Sequence, residues 1–146
     1  MMGDAIDIAD FMVQECLKKD RPTTNMKLQK MLYFAWIEYY KKNKEWLFTD
    51  NFLAWKLGPV VYEVYAQYRV FGAMPITYVR DRKGRKNLPD DVISFLEQYV
   101  NRNKDVSGSQ LVRESHRAGG AWAHVHDDSK SNVEIPFEDI MRLECQ

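Results

Sequence analysis

All three histidines crowd into one short stretch, as His116, His124 and His126, and the last is followed directly by Asp127 and Asp128. Imidazoles beside carboxylates are adequate ligands for zinc or iron. The spacing argues against that use, because His124-Val125-His126 brings two rings to one side only in an extended segment. No HExxH motif or cysteine pair completes a ligand set. Ser115 and His116 are chain neighbours, which does not aim an imidazole at a hydroxyl, and no GxSxG elbow is present. Gly119-Gly120 lacks the Lys and Ser/Thr of a phosphate loop. The acid pair Asp90-Asp91 follows Pro89 in a helix's first turn, where the helix dipole accounts for it. No catalytic constellation emerges, and the expectation is a non-enzymatic protein with no metal and no cofactor.

Binding chemistry has more to work with. The stretch Arg80, Asp81, Arg82, Lys83, Gly84, Arg85, Lys86 is sharply basic, with Tyr78 beside it. Read as a hairpin tip, it can set Arg80, Arg82, Lys83, Arg85 and Lys86 against phosphates while Tyr78 stacks on a base. A charged turn that keeps two strand edges soluble uses the same residues. Lys+Arg 21 balance Asp+Glu 21, so no global field draws in nucleic acid or an acidic membrane. Nucleic acid is therefore the alternative partner and not the first. Four tryptophans and eight tyrosines exceed what a core of this size strictly needs. Trp, Tyr and Arg dominate protein-binding hot spots, so any that stay exposed point to a protein partner.

These residues must be positioned by a small scaffold. The 146 residues suit one domain, 1–146. With 45% hydrophobic and 13% aromatic residues, the chain can build a core without disulfides or a structural metal. Cys16 and Cys145 stand at opposite ends and read as reduced, buried thiols. The N-terminus is acidic, without the basic start and apolar core of a signal peptide. The longest apolar run, residues 31–37, falls far short of the roughly 20 residues of a membrane span. These features read as a cytoplasmic protein with no membrane partner.

Hydrophobic periodicity places a first helix over 4–19, with Asp4 as its N-cap. A second, over about 25–43, carries Leu28, Met31, Leu32, Ala35, Trp36 and Tyr39 on one face. Tyr33, Phe34, Ile37 and Tyr40 widen that face until the helix is apolar almost all round, as a central, many-sided packing element must be. Residues 46–57 read as short strands at Leu47-Phe48 and 52–57 around a turn at Thr49-Asp50-Asn51. Gly58-Pro59 is expected to open a third helix, with Pro at its first position and the stripe Val61, Val64, Tyr65, Tyr68 and Phe71 ending at Gly72. Residues 74–86 suggest a strand pair or long loop. A fourth helix follows Pro89, a fifth is opened by the capping box Ser107-x-x-Gln110, residues 121–134 look irregular, and a last helix follows Pro136. The fold class is thus mainly α (α+β): one compact helical domain around a buried central helix, with a small antiparallel β element.

Two blocks together carry a family resemblance. They are Lys27-Leu28-Gln29-Lys30-Met31-Leu32-Tyr33-Phe34-Ala35 and Leu47-Phe48-x-Asp50-x-Phe52-x-Ala54-Trp55-x-x-Gly58-Pro59-Val60-Val61-x-x-Val64-Tyr65. With Ser115-His116 and Trp122 they resemble the Panacea antitoxin domain, also known as the phage-associated GepA-like protein. Nearly the whole chain is covered. Tyr62 stands where many relatives carry proline, a local surface difference. The resemblance implies an antitoxin of a bacterial or prophage toxin–antitoxin pair, which neutralises a cognate toxin, encoded next door, by direct binding or by delivering it to a protease. Its implied partner face is assigned to Lys27, Lys30, Trp55, Lys56, His116 and Trp122. In this reading Leu28, Met31 and Leu32 are core, while Lys27 and Lys30 face out.

Overall fold

A computed structural model describes residues 3–79 and 84–146. Helix α1 (Ala5–Lys18) starts where expected, but Asp4 makes no side-chain cap. The Asp50 carboxylate does this work from across the chain, accepting the Ala5 N–H at 3.1 Å. Helix α2 (Asn25–Asn43) is the central element. The Thr24 hydroxyl accepts from Lys27 N at its start, and Lys44 closes it in the left-handed conformation. Beside α2 lie α1 and five later helical or strand elements, so nearly every residue of the helix has a neighbour. Tyr33 and Trp36 are fully buried within it. The Trp36 indole N–H, which could not be left unpaired in the core, donates to the Phe48 carbonyl at 3.0 Å.

Leu47 and Phe48 are fully buried but form no strand; Phe48 instead offers its carbonyl to Trp36. The strands are β1 (Phe52–Trp55), β2 (Gly58–Val60) and β3 (Glu134–Ile135), antiparallel in the order β2-β1-β3. Trp55 pairs with Gly58 across a two-residue turn at Lys56 and Leu57, while Phe52 pairs with Ile135. Gly58 and Pro59 therefore do not open a helix. Pro59 lies in an edge strand, where its missing N–H breaks no ladder bond. Gly58 takes φ +109, a conformation only glycine adopts readily. Helix α3 (Tyr62–Tyr68) starts later than expected and runs through a 3-10 turn (Arg69–Phe71) to Gly72.

Residues 74–79 contain no strand, and residues 84–87 form a single helical turn, α4 (Gly84–Asn87), against α1. A hairpin over 74–86 is thus not formed on its described parts. Helix α5 (Asp90–Asn103) follows Pro89 as read. Helix α6 (Gly108–Ser115) is capped by the Ser107 hydroxyl, which accepts from Gln110 N. The segment expected to be irregular holds a short helix α7 (Ala121–Val125) and β3, both given their order by contacts with α8 (Phe137–Glu144) and β1 that no local pattern encodes. Among the described residues no helix is long and apolar enough to cross a membrane. Cys16 and Cys145 are both free and buried.

Candidate functional site

The β1–β2 hairpin gathers most of the residues singled out from the sequence. Trp55 ends β1, half-buried, and its indole N–H donates to Asn132 Oδ1 at 3.2 Å. Its ring meets Tyr65 edge-on at 4.9 Å and Tyr62 at 6.3 Å, so the first and fourth residues of α3 form an aromatic triangle with the strand end. The next two residues, Lys56 and Leu57, form the exposed tip, with Leu57 54% exposed and Tyr62 beside it 48% exposed. Tyr62 thus adds a ring to this surface.

Trp122, at the start of α7, fastens the hairpin from behind by donating its indole N–H to the Trp55 carbonyl at 2.7 Å. Its ring is clasped between two imidazoles, His116 at 3.7 Å and His126 at 4.2 Å, both nearly parallel to it. His126 Nδ1 lies 3.0 Å from the Ala54 carbonyl and Nε2 lies 2.8 Å from the Asp128 carboxylate. Both partners only accept, so both are satisfied when the ring is an imidazolium donating from each nitrogen. Burial works against that charge, but the Ala54 hydrogen bond and the Asp128 carboxylate outweigh it, and the His126 pKa is raised. His116 goes the other way: burial first, then the Lys30 and His126 charges, lower its pKa. Its Nε2 is buried with no hydrogen-bond partner among the described residues.

Lys30 corrects the sequence reading. It does not face out; it is 1% exposed, beneath β2, and its ammonium donates to the Pro59 carbonyl at 3.1 Å. The physical reason is α2's position. β2 and the flanking helices cover this part of α2, so Leu28, Gln29, Lys30 and Met31 are buried in succession, while the partly open face carries Lys27, Phe34, Glu38 and Lys41. Burial pushes the Lys30 pKa down to about 7. Neighbouring Gln29 holds the fold together by accepting the Val61 N–H at 2.9 Å and donating to Asn25. Lys27 stands apart from the hairpin, half-buried, donating to the Lys104 carbonyl at 3.0 Å.

Two cavities flank the hairpin tip and share Trp55 and Lys56. One, of about 430 Å³, opens toward His126, Asp128 and Asn132. The other, of about 550 Å³, lies between α2 and α3, with Lys30, Gln29 and Asn25 on its inner side and Tyr65, Arg69 and Leu57 on its outer side. Five of the six residues assigned to a partner face, Lys30, Trp55, Lys56, His116 and Trp122, therefore belong to one connected structure, and Lys27 does not. The sequence reading sets Tyr65 on the core stripe of the third helix and Tyr62 at the surface, and it does not single out Leu57 and Arg69. Leu57 is part of a run of large residues around Gly58-Pro59, which is equally a core pattern, and nothing local marks Arg69.

The alternative sites fare differently. His124 is exposed on α7 and shares nothing with the stacked pair. Among the described residues no group of three or more His, Cys, Asp and Glu side chains converges on a metal position. In the basic stretch, Arg80, Arg82 and Lys83 lie outside the described residues. Arg85 and Lys86 are exposed on α4, and the Arg85 guanidinium rests 5.8 Å from the Phe11 ring.

The profile of the antitoxin SocA-like family, Panacea domain, matches residues 28–123, which take in α2 from Leu28 onward, the hairpin, α6 and Trp122. Antitoxin SocA of Caulobacter vibrioides (strain NA1000 / CB15N) is 30% identical over 142 residues, spanning 89% of this chain and 74% of that protein. No solved structure matches the chain. The buried lysine of the central helix and the aromatic hairpin laid across it both fall within the matched residues, and the chain belongs to the antitoxin SocA-like, Panacea domain family.

Proposed function

We propose that this antitoxin-family chain neutralises a cognate bacterial or prophage toxin by direct contact through the hairpin-tip face, centred on Trp55, Lys56 and Leu57 and extended by Tyr62, Tyr65 and Arg69. The observation that carries the reading is the exposed aromatic and aliphatic surface beside a cavity: Leu57 and Tyr62 are about half exposed, on a tip whose rear is fastened by Trp122. Large side chains held rigid at a surface lose little entropy on binding, which is why Trp, Tyr and Arg anchor interfaces. A stable complex buries about 1,600 Å² in total, so this tip is the centre of the contact and not its whole extent.

The test expresses the adjacent open reading frame in a bacterial host with and without this chain. Growth arrest relieved by the wild-type chain, with both proteins co-purifying, is the expected result. Leu57→Glu places a charge at the tip and should abolish rescue and co-purification while the melting temperature holds. A harmless neighbour would remove the antitoxin reading for this chain. Full rescue by Leu57→Glu would move the contact elsewhere. Rescue that disappears when the host's ATP-dependent proteases are deleted, with the toxin accumulating, would replace direct capture by delivery to a protease.

A further inference from the structure

The 550 Å³ cavity beside the hairpin holds an imbalance of charge that the scaffold does not explain. Three cations line it: Lys30 at its inner side, Lys56 and Arg69 at its mouth, and no Asp or Glu is among its lining residues. None of the three forms an ion pair with a described residue. Lys56 and Arg69 are exposed and solvated, but Lys30 is 1% exposed and has a single neutral acceptor, the Pro59 carbonyl. Burying an ammonium without a counter-charge is costly, and such groups are otherwise paired. The burial is also built in: a Cβ on Gly58 would lie 2.6 Å from Lys30 Cε, so β2 passes the lysine stem at a distance only glycine allows. Around these cations the walls are apolar and amide: Trp55, Tyr65 and Val60 on one side, Asn25 and Gln29 on the other.

We propose that this cavity is a carboxylate-binding pocket whose occupant is an acidic side chain of the partner toxin, inserted with its apolar stem between Trp55 and Tyr65 and its carboxylate toward Lys30. The choice of an anion follows from charge complementarity. A carboxylate, unlike a phosphate, suits one buried ammonium and amide donors with an apolar approach. The toxin as the source rests on the proposed function, because the mouth of the cavity is the hairpin tip itself: Lys56, Leu57 and Trp55 belong to both. An acid anchored there would supply the counter-charge that Lys30 lacks.

The pocket is testable without the toxin. Phenylacetate, titrated at millimolar concentration into the full chain at neutral pH, should shift the NMR signals of the Trp55 indole N–H and the Arg69 side chain, whereas neutral phenylacetamide should not. Lys30→Met, which keeps the length of the side chain and needs no counter-ion, should weaken phenylacetate binding about tenfold or more. Arg69→Gln, on the exposed rim, should weaken it several-fold and guards against a fold defect in the buried variant. Phenylacetate that also displaces the toxin from the complex supports the acidic anchor. Three results would overturn the proposal: no shift with phenylacetate, equal shifts with phenylacetamide, or binding unchanged in both variants. Binding that leaves the toxin complex intact would overturn the toxin as the source, as would a lysine-dependent pocket in a chain that rescues no growth; only the latter also removes the proposed function.

Discussion

Gly58→Ala tests the arrangement on which the whole site rests. Gly58 has φ +109, and a methyl group built there lies 2.6 Å from both Lys30 Cε and Ser115 Oγ. Neither neighbour can give way cheaply. The lysine stem is held by its bond to Pro59, and the serine hydroxyl donates to the Val112 carbonyl at 2.8 Å. The backbone strain of a non-glycine residue in that region is about 1–3 kcal/mol. Overpacking a filled core adds about 1–3 kcal/mol. The sum, about 2–6 kcal/mol, corresponds to a fall in melting temperature of roughly 6–20 °C for a chain of this length. Gly72→Ala is the control: its φ is +57 with ψ −129, and nothing stands within 4 Å of the added methyl, so only backbone strain of about 1–3 kcal/mol applies, without the overpacking. Thermal unfolding followed by circular dichroism compares the two. A Gly58→Ala protein that melts no lower than Gly72→Ala would refute the close passage of β2 over Lys30, and with it the reason the lysine stem is held beneath the hairpin.

Lys30 should also write itself into the pH dependence of stability. Its pKa is lowered to about 7 by burial, against an ordinary 10.5 when unfolded, so between those values the unfolded chain binds more protons and stability rises with pH. Below about pH 7 the cost of the buried charge is fully present; urea unfolding of Lys30→Met should lack the rise, and an identical slope in both proteins would contradict the assignment. Trp122→Phe keeps a ring between the imidazoles but loses the bond to Trp55, a cost of about 1 kcal/mol, whereas Trp122→Ala should cost about 2–4 kcal/mol in the same assay. Asp128→Asn removes a carboxylate that raises the His126 pKa, so the imidazole titration followed by NMR should move down. The stability this histidine contributes is present at acid pH and is lost as pH rises through its raised pKa; an unmoved midpoint in Asp128→Asn would leave the Ala54 hydrogen bond as the cause.

The amino-acid sequence alone was enough to fix the main helices and the class of the fold. Periodicity over fourteen to nineteen residues is a strong signal, and α1, α2 and α5 form where Ala9, Val13, Leu28, Trp36 and Leu96 recur at helical spacing. Local chemistry at Thr24 and Ser107 marked two helix starts, since each hydroxyl accepts from an N–H three residues on, and Pro89 marked a third through its fixed φ. The KLQK and Ala54-Trp55-x-x-Gly58-Pro59 blocks carried the family, which the comparison then established. Tertiary structure decided everything that depends on which side a residue faces. Gly58-Pro59 has the local preferences of a helix start, yet the pairing of Trp55 with Gly58 makes it a strand. Asp4 has the chemistry of a cap, yet Asp50, forty-five residues from Ala5, supplies it. Lys30 has the polarity of a surface residue, yet β2 packs over it, so its ammonium ends in the core against a carbonyl that belongs to another element. Hydrophobic spacing encodes which residues share a face. It does not encode what a buried charge meets there, because that partner is brought by the packing of distant segments.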